Sequence, residues 1–289
     1  MTAQTTPPDL LLGLIGDNIA ASSAPRLHRL AGAQAGLAVR YDRLVPAEQG
    51  LGFDALFEAC PGRGYRALNI TYPYKERAAA RVRIADPMVA AMGAVNTVLF
   101  GPDGTARGYN TDHSGFVAAL RAARGDAPPG SVLMIGTGGV GRAVAFGLAA
   151  LGTRELRLCD RDGAKARALA SDLAKAAPGL AVCVHDTAAK GAEGAEGLIN
   201  CTPVGMVGYE GTPLPADAMA GATWAFDAVY TPVETQFLND AAARGLQVIS
   251  GWELFFHQGL DAWRLFSNRE ADAPALRAAL HAGHDLPEA

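Results

Sequence analysis

Residues 131–160 read SVLMIGTGGVGRAVAFGLAALGTRELRLCD, and this stretch decides the fold. An apolar run at 132–135 leads into the glycine-rich segment GTGGVG at 136–141, and a small-residue, helix-like segment follows at 142–151. A second apolar run then ends in Asp160. Strand, tight glycine turn, helix, strand and acid, in this order, predict a βαβ unit that binds a dinucleotide.

Each glycine of this turn has a separate physical task in such a unit. Gly136 permits the sharp turn, Gly138 lets the backbone approach a pyrophosphate, and Gly141 lets the helix pack against the strand. The free N–H groups and the positive dipole of the helix N-terminus favour the phosphates. Asp160 follows about 20 residues later, where a carboxylate can accept both hydrogen bonds of an adenosine ribose diol. The alternative is a tight strand–helix turn that holds no ligand.

The composition is that of a globular enzyme. The chain has 289 residues, of which 49% are hydrophobic and 19% charged, and this length can hold two domains. The net charge of −4 argues against nucleic acid as a partner. No apolar run approaches the ~20 residues of a membrane span, and residues 1–9 lack the features of a signal peptide. We therefore expect a cytoplasmic protein without a membrane partner.

The cysteines lie at positions 60, 159, 183 and 201 and form no CxxC pair. Such spacing favours buried thiols in a reducing compartment over disulfides. We also expect no metal ion in the site.

Strands and helices alternate along the chain, which predicts an α/β fold with a parallel, doubly wound sheet. The segment GDAPPG at 125–130 is the clearest linker, and the dinucleotide unit begins directly after it. The strands predicted outside that unit are 10–15, 39–44, 65–70, 94–100, 180–184, 197–201, 224–229 and 246–249. The predicted helices are 25–35, 50–60, 88–92, 114–124, 164–176, 252–266 and 273–282, with a further helix beginning at about Pro73.

Polar side chains cluster near the ends of predicted elements in the first part of the chain. They are Ser22, Thr71, Lys75, Asn96 and Asp112. In an open α/β sheet, strand ends border the ligand crevice. A lysine beside an aspartate can there form a proton-transfer pair. A surface salt bridge between Lys75 and Asp112 is an equally weighted alternative.

Several motifs, in this order, resemble the successive signatures of the shikimate/quinate dehydrogenase family. They are NITYPYK at 69–75, GAVNT at 93–97, GYNTD at 108–112, GTGGVG at 136–141, NCTPVGM at 200–206 and FHQG at 256–259. The resemblance covers roughly residues 10–268. It implies an N-terminal α/β substrate-binding domain at 1–112, completed by C-terminal helices at 252–289. It also implies a Rossmann-type dinucleotide-binding domain at 113–251.

The resemblance implies an oxidoreductase that interconverts quinate with 3-dehydroquinate, and shikimate with 3-dehydroshikimate, by hydride transfer at ring carbon C3. The implied catalytic pair is Lys75 and Asp112. The implied substrate-binding residues are Ser22 and Tyr230 for the carboxylate, and Thr71, Asn96, Asp112 and Gln258 for the ring hydroxyls. The implied cofactor-binding residues are Gly136, Gly138, Gly139, Val140, Gly141, Asp160, Arg161, Thr202, Pro203, Gly205, Met206 and Gly251.

One position departs from the family pattern. The family places two hydroxyl residues around one spacer before a proline, whereas SSAP at 22–25 has Ala24 at the second position. The substrate carboxylate then loses a hydrogen bond worth about 1.5–3 kcal/mol, unless Ser23 or water replaces it. The segments at 112–116 and 258–266 look more like the quinate-using, NAD-dependent branch. The alternatives are another cyclohexane acid, such as an amino-substituted one, or a non-catalytic protein that senses a nucleotide or metabolite.

The end of the second strand predicts the cofactor. Asp160 favours a free ribose diol and repels a 2′-phosphate, which carries nearly two negative charges. NADP users in the family tend to show an Asn-Arg-Thr type segment, whereas here Asp160 and Asp162 flank Arg161. We therefore expect NAD to be preferred, with NADP use left open by Arg161. We expect a cyclohexane or cyclohexene carboxylate as substrate, and a monomer or a homodimer.

Overall fold

The computed structural model describes residues 7–282, which pack as two compact units. The first unit contains the residues up to Ala85, Val95–Thr111, and the residues from Gly259 onward. The second unit contains Asp86–Ala94 and Asp112–Gln258. Residues 1–6, which are part of the segment considered for a signal peptide, lie outside the described range.

The secondary structure of the described residues alternates along most of the chain. The strands are β1 (Leu10–Ile15), β2 (Val39–Leu44), β3 (Ala67–Ile70), β4 (Thr97–Phe100), β5 (Ala106–Tyr109), β6 (Ser131–Ile135), β7 (Glu155–Cys159), β8 (Ala181–Val184), β9 (Gly197–Asn200), β10 (Trp224–Asp227) and β11 (Gln247–Ile249). The α-helices are α1 (Ala24–Gln34), α2 (Phe53–Ala59), α3 (Lys75–Ala79), α4 (Pro87–Met92), α5 (Thr111–Arg124), α6 (Gly139–Ala150), α7 (Gly163–Ala176), α8 (Ala188–Ala192), α9 (Gln236–Ala243), α10 (Gly251–Ser267) and α11 (Ala273–His281). Short 3-10 helices occur at Pro61–Arg63 and Ala216–Met219.

The first unit is built on a mixed sheet with the strand order β2-β1-β3-β4-β5. β1 pairs in parallel with β2 and β3, whereas β4 runs antiparallel to β3 and β5. Pro25 lies in the first turn of α1, where its missing N–H costs no hydrogen bond. The buried face of α1 contacts β2, and the His28 ring stacks on Tyr41 with centroids 5.0 Å apart.

The second unit is built on a wholly parallel sheet with the strand order β11-β10-β9-β6-β7-β8. When β6–β11 are numbered 1–6 and the sheet is read from β8 to β11, this is the 3-2-1-4-5-6 order of a Rossmann fold. Every residue of β6 is buried, because apolar clusters cover both faces of the sheet. The strand order reverses between β6 and β9, and ligands of such sheets bind at this switch point.

The predicted α/β fold class is confirmed, with a Rossmann-type parallel sheet in the second unit. β1 and β2 have the predicted bounds, and most other predicted elements differ by a few residues at their ends. Sequence analysis missed β5, because its short alternating run follows a turn and includes a glycine. It also missed α8 and α9, which separate strands that were predicted correctly.

The packing units divide the chain differently from the predicted domain boundaries, which themselves stay a prediction. Residues 252–258 pack with the second unit, because α5 and α10 meet backbone to backbone there: a Cβ on Gly115 would lie 2.7 Å from the amide nitrogen of Gln258. Asp86–Ala94 also pack with the second unit. Arg142 of α6 donates to the carbonyl of Met92 and pairs with Asp172 at 2.6 Å, which holds α4 in place.

Three further features concern only residues 7–282. No helix in this range is long and apolar enough to cross a membrane. The cysteines, all of which lie in this range, are free thiols. No group of three or more His, Cys, Asp or Glu residues in this range is arranged to hold a metal ion.

We predict that Gly197→Ala destabilises the second unit. A Cβ at this position would overlap the indole ring of Trp224, which is fully buried. The ring cannot easily yield, because its Nε1 donates to the carbonyl of Pro129 at 3.2 Å and the Arg124 guanidinium lies 4.9 Å from its centroid. The free energy of unfolding, measured with urea, should fall by about 1–3 kcal/mol.

The matched control is Gly179→Ala, since no described residue lies within 4 Å of its Cβ position. This control should leave the free energy of unfolding unchanged or slightly higher. Equal stability of the two variants would contradict the packing described for β9 and β10.

Candidate active site

The glycine-rich turn after β6 lies directly against the backbone that follows β9. Gly136 has φ +96°, a left-handed value that favours glycine. A Cβ on Gly136 would lie 2.7 Å from the carbonyl carbon of Cys201 and 2.8 Å from the amide nitrogen of Thr202. A Cβ on Gly141 would overlap the carbonyl oxygen of Gly136. Only glycine fits at either position, so the two loops form one backbone surface at the switch point.

The N-terminus of α6 offers open backbone to a phosphate group. Gly138 is the N-cap residue, and no described residue lies within 4 Å of its Cβ position. Gly139 and Val140 are half-buried and supply N–H groups of the first helical turn. With the helix dipole, these groups fit the pyrophosphate of a dinucleotide.

Asp160 follows β7, and its carboxylate lies at the glycine turn. Its Oδ2 accepts hydrogen bonds from the Thr137 backbone N–H at 2.7 Å and from the Thr137 hydroxyl at 2.8 Å. Its Oδ1 accepts a hydrogen bond from the Asp162 backbone N–H at 2.9 Å. Asp160 is half-buried, whereas the neighbouring Arg161 is exposed. The acid that the sequence singled out is therefore fixed beside the predicted phosphate site.

The loop after β9 takes its shape from Asn200, which is fully buried. Its Oδ1 accepts hydrogen bonds from the Thr202 N–H and hydroxyl at 2.9 and 2.7 Å. Its Nδ2 donates to the Val204 carbonyl at 3.0 Å and to Asp227 Oδ1 at 2.9 Å. These bonds position four half-buried residues that the resemblance assigned to the cofactor: Thr202, Pro203, Gly205 and Met206.

Asp227, the last residue of β10, anchors this arrangement from the interior. Its Oδ1 also accepts from the Val229 N–H at 2.9 Å, and its Oδ2 accepts from the Thr235 hydroxyl at 2.6 Å. Burial raises the pKa of Asp227 to about 6, although these hydrogen bonds favour the charged form. Sequence analysis did not assign Asp227 a role. The signal that singled out Asp160, an acid at the end of an apolar strand, could have found it.

In the first unit, a tight turn after β3 carries Thr71 and Lys75. The Thr71 N–H donates to the Ile15 carbonyl, and the Tyr74 N–H donates to the Thr71 carbonyl, both at 2.9 Å. Lys75 is half-buried and begins α3. The two residues are thus placed on one turn at the end of a central strand, as the sequence predicts.

The loop between β1 and α1, which contains Ser22, is tied to this turn and to β2. The Tyr74 hydroxyl donates to Asp17 Oδ1 at 2.6 Å, and Arg43 donates to the Ser22 carbonyl at 2.9 Å. The Ser22 hydroxyl oxygen accepts the N–H of Ala24 at 3.3 Å. Ala24 is buried as the first residue of α1, so the departure from the family pattern places a methyl group beneath this loop.

Asn96 lies just before β4 and holds the start of α5. Its Oδ1 accepts from the Thr111 N–H at 2.7 Å, and its Nδ2 donates to the Thr111 hydroxyl at 2.9 Å. Behind it, Asn69 donates to the Asn96 carbonyl at 3.3 Å and to the Thr97 hydroxyl at 3.2 Å. The Tyr41 hydroxyl in turn donates to Asn69 Oδ1 at 2.8 Å. A buried amide network that sequence analysis missed therefore orients the predicted substrate residue.

The remaining predicted substrate residues belong to the second unit. Asp112 lies in the first turn of α5 and is 5% exposed. The Tyr230 ring stacks on Phe255 of α10, with centroids 4.8 Å apart. Gln258, half-buried on the same helix, donates from Nε2 to the Phe255 carbonyl at 2.9 Å. Tyr230 and Gln258 thus both contact Phe255, one at its ring and the other at its carbonyl.

Gly251 begins α10 where only glycine fits. A Cβ there would lie 2.5 Å from the Val229 carbonyl oxygen and 2.6 Å from that of Ala228. The helix therefore starts against the backbone that follows β10.

The parallel sheet, its glycine turn and the acid after its second strand define a dinucleotide-binding protein of the Rossmann type. Residues 14–98 match the family model described as the shikimate dehydrogenase substrate binding domain. A quinate/shikimate dehydrogenase (NAD(+)) of Corynebacterium efficiens is 38% identical over 276 residues, which cover 93% of this chain and 96% of the relative. A shikimate dehydrogenase (NADP(+)) of an Arthrobacter species is 37% identical, with 93% of each chain covered.

The fold is also similar to that of a solved relative, quinate dehydrogenase from Corynebacterium glutamicum in complex with NAD. The TM-score is 0.85 at 35% identity, with 94% of this chain and 99% of the relative covered. The chain belongs to the shikimate/quinate dehydrogenase family, which confirms the resemblance drawn from the motifs.

We predict that Asp227→Asn changes the pH dependence of stability. The folded state raises the pKa of Asp227 to about 6, so the folded protein binds this proton more tightly than the unfolded chain does. The resulting stabilisation is complete below the unfolded pKa, near 3.8, and is lost as the pH rises through about 6. The free energy of unfolding of wild type minus that of Asp227→Asn should fall by roughly 1–3 kcal/mol between pH 4 and 7.

Urea denaturation of both proteins at pH 4, 5, 6 and 7 measures this difference directly. The matched control is Asp126→Asn, because Asp126 is exposed in the linker before β6. A wild-type-minus-variant difference that stays constant with pH for Asp227→Asn would contradict the raised pKa of Asp227.

Proposed function

We propose that this protein is an NAD-dependent oxidoreductase that interconverts quinate with 3-dehydroquinate and shikimate with 3-dehydroshikimate. The observation that carries the proposal is the Asp160 carboxylate at the glycine turn, in a chain of this family. A fixed carboxylate there accepts hydrogen bonds from a ribose diol and repels a 2′-phosphate. The names of the relatives reported above include both NAD and NADP. We therefore propose NADP as a second, less preferred cofactor.

In the second unit, the start of α6 and the loops that follow the strands would hold the cofactor. The N–H groups around Gly138 at the start of α6 bind the pyrophosphate, and Asp160 binds the adenosine ribose. A nicotinamide cofactor held in this way would supply the hydride acceptor for ring carbon C3. The other proposed cofactor residues follow three further strands: Arg161 after β7, Thr202, Pro203, Gly205 and Met206 after β9, and Gly251 after β11.

The substrate residues would recognise the carboxylate and the ring hydroxyls by hydrogen bonds. Ser22 and Tyr230 bind the carboxylate, and Thr71, Asn96, Asp112 and Gln258 bind hydroxyls. The hydrogen bonds of Asn96 support a donor role toward a substrate hydroxyl. Its Oδ1 already accepts a hydrogen bond from the Thr111 N–H. Its Nδ2 donates one N–H to the Thr111 hydroxyl and carries a second N–H that can donate to the substrate.

Oxidation of the C3 alcohol releases a proton from the hydroxyl as the hydride leaves the carbon. Lys75 accepts this proton in the oxidative direction and returns it in the reductive direction. Asp112 is its acid–base partner, since a carboxylate stabilises and orients an ammonium group.

We further propose a cytoplasmic protein that is a monomer or a homodimer. Free thiols at all four cysteines support a reducing compartment. Light scattering coupled to gel filtration distinguishes the two oligomeric states.

The function is tested by following reduction of NAD and NADP at 340 nm with quinate and with shikimate. We expect both acids to support reduction of NAD, with a higher kcat/KM for NAD than for NADP. Absence of reduction with either acid and either cofactor would refute the proposed activity and favour another cyclohexane acid or a sensing role.

We predict that Lys75→Ala lowers kcat by about 10²–10⁴-fold with a smaller change in KM, because general acid–base groups contribute on this scale. The matched control is Lys175→Ala, since Lys175 is 76% exposed. Steady-state kinetics with quinate measures both. A kcat for Lys75→Ala close to that of the control would show that another group carries the proton.

We predict that Asp160→Asn raises the ratio of kcat/KM for NADP to that for NAD by about tenfold or more. Removing the charge abolishes the repulsion of the 2′-phosphate, which favours NADP. Asparagine also has one acceptor oxygen fewer for the ribose diol, which weakens NAD binding. Asp162→Asn is the matched control, because Asp162 is a nearby acid that caps α7 and asparagine caps equally well. If both variants change the ratio equally, general charge and not the position of Asp160 sets the preference.

A further inference from the structure

The Asp160 carboxylate is already occupied at most of its acceptor positions. A carboxylate has about four lone-pair sites, two on each oxygen. The N–H and the hydroxyl of Thr137 use both sites of Oδ2, at 2.7 and 2.8 Å. The Asp162 N–H uses one site of Oδ1, at 2.9 Å. One acceptor site therefore remains, whereas a ribose diol has two hydroxyls to donate.

The Thr137 hydroxyl differs from the other two donors because it is not needed to hold the carboxylate in place. The two backbone N–H groups each bind one oxygen, so they fix both the position and the plane of the carboxylate. The hydroxyl is buried, with Thr137 only 2% exposed, and adds a third bond to an oxygen that is already anchored. Its removal would free an acceptor site without releasing Asp160.

We propose that the Thr137 hydroxyl is a specificity-determining group that competes with the adenosine ribose for Asp160 and so weakens the preference for NAD over NADP. This inference rests on the proposed function, because it requires Asp160 to bind the ribose. Thr137 acts through Asp160 and is a positioning residue. NAD binding has to displace the hydroxyl from Oδ2 or to use a single acceptor.

The same hydroxyl favours NADP for a second reason. A hydrogen bond from Thr137 disperses part of the negative charge on Asp160, which weakens its repulsion of a 2′-phosphate. Loss of the hydroxyl should therefore strengthen NAD binding and weaken NADP binding together. A role confined to stabilising the turn would move both cofactors in the same direction.

The test compares Thr137→Val, Thr137→Ser and Thr153→Val with wild type. Valine keeps the shape of threonine and removes the donor, and serine keeps the donor. Thr153 is the control, because its buried hydroxyl has no hydrogen-bond partner among the described residues and it lies outside the cofactor loops. The dissociation constants of NAD and NADP are measured by titration without acid, and KM and kcat are measured with quinate.

We expect Thr137→Val to bind NAD about three- to tenfold more tightly, the range of one hydrogen bond to a charged group after partial compensation. Its affinity for NADP should fall. Thr137→Ser and Thr153→Val should resemble wild type in all four constants. Thermal unfolding checks that each variant is folded, and Thr137→Ala, which also lacks the hydroxyl, makes the same test if valine is not tolerated.

Equal or weaker NAD binding by folded Thr137→Val would overturn the proposal, as would a parallel change for both cofactors. Loss of the wild-type constants in Thr137→Ser would also overturn it, because the hydroxyl is retained there. Failure of the proposed function would be seen separately. In that case, the wild-type protein would reduce neither NAD nor NADP with quinate or with shikimate.

Discussion

The close approach of two backbone segments at the switch point of the parallel sheet is the constraint on which the nucleotide site depends. Gly136 turns the chain after β6 directly against Cys201 and Thr202, where a Cβ would come within 2.7 Å of the opposing carbonyl carbon. Gly141, in the first turn of α6, has the same constraint against the carbonyl of Gly136. Because no side chain separates these segments, the N–H groups of α6 and the loop after β9 border one surface, which suits a dinucleotide.

Buried polar networks in both units turn these loops into defined sites. In the second unit Asp227 and Asn200 hold the loop that carries Thr202, at 2.9 Å between the two side chains. In the first unit Asn69 and Asn96 hold the start of α5 in the same way. A buried network in which some polar groups lack hydrogen-bond partners destabilises the fold, whereas a fully hydrogen-bonded network makes the structure rigid. They hold Thr111 and Thr202 in place.

The parts of the fold and site that sequence analysis predicted are those encoded by local patterns. The glycine spacing, the apolar runs and Asp160 all lie within 30 consecutive residues, so the βαβ unit is visible without tertiary information. The Rossmann unit and the α/β fold class followed from these patterns and from alternation along the chain.

The parts that were missed depend on contacts between distant positions. Asn200 and Asp227 are neighbours only because β9 and β10 pair in register. The Thr137 hydroxyl meets Asp160 only through the pairing of β6 with β7. The packing of residues 252–258 with the second unit arises because Gly115 lets α5 and α10 touch, which no spacing in the sequence indicates. For the same reason, the assignment of Lys75 and Asp112 to proton transfer stays a proposal from resemblance and chemistry.

The central claim is that this chain moves a hydride from ring carbon C3 of quinate or shikimate to a nicotinamide cofactor. The most direct test is to incubate the protein with NAD and with quinate that carries deuterium at C3. The reduced cofactor is then analysed by mass spectrometry. We expect each reduced cofactor to carry one deuterium and 3-dehydroquinate to form in equal amount. Reduced cofactor without deuterium, or no reduction with labelled quinate or shikimate, would contradict it.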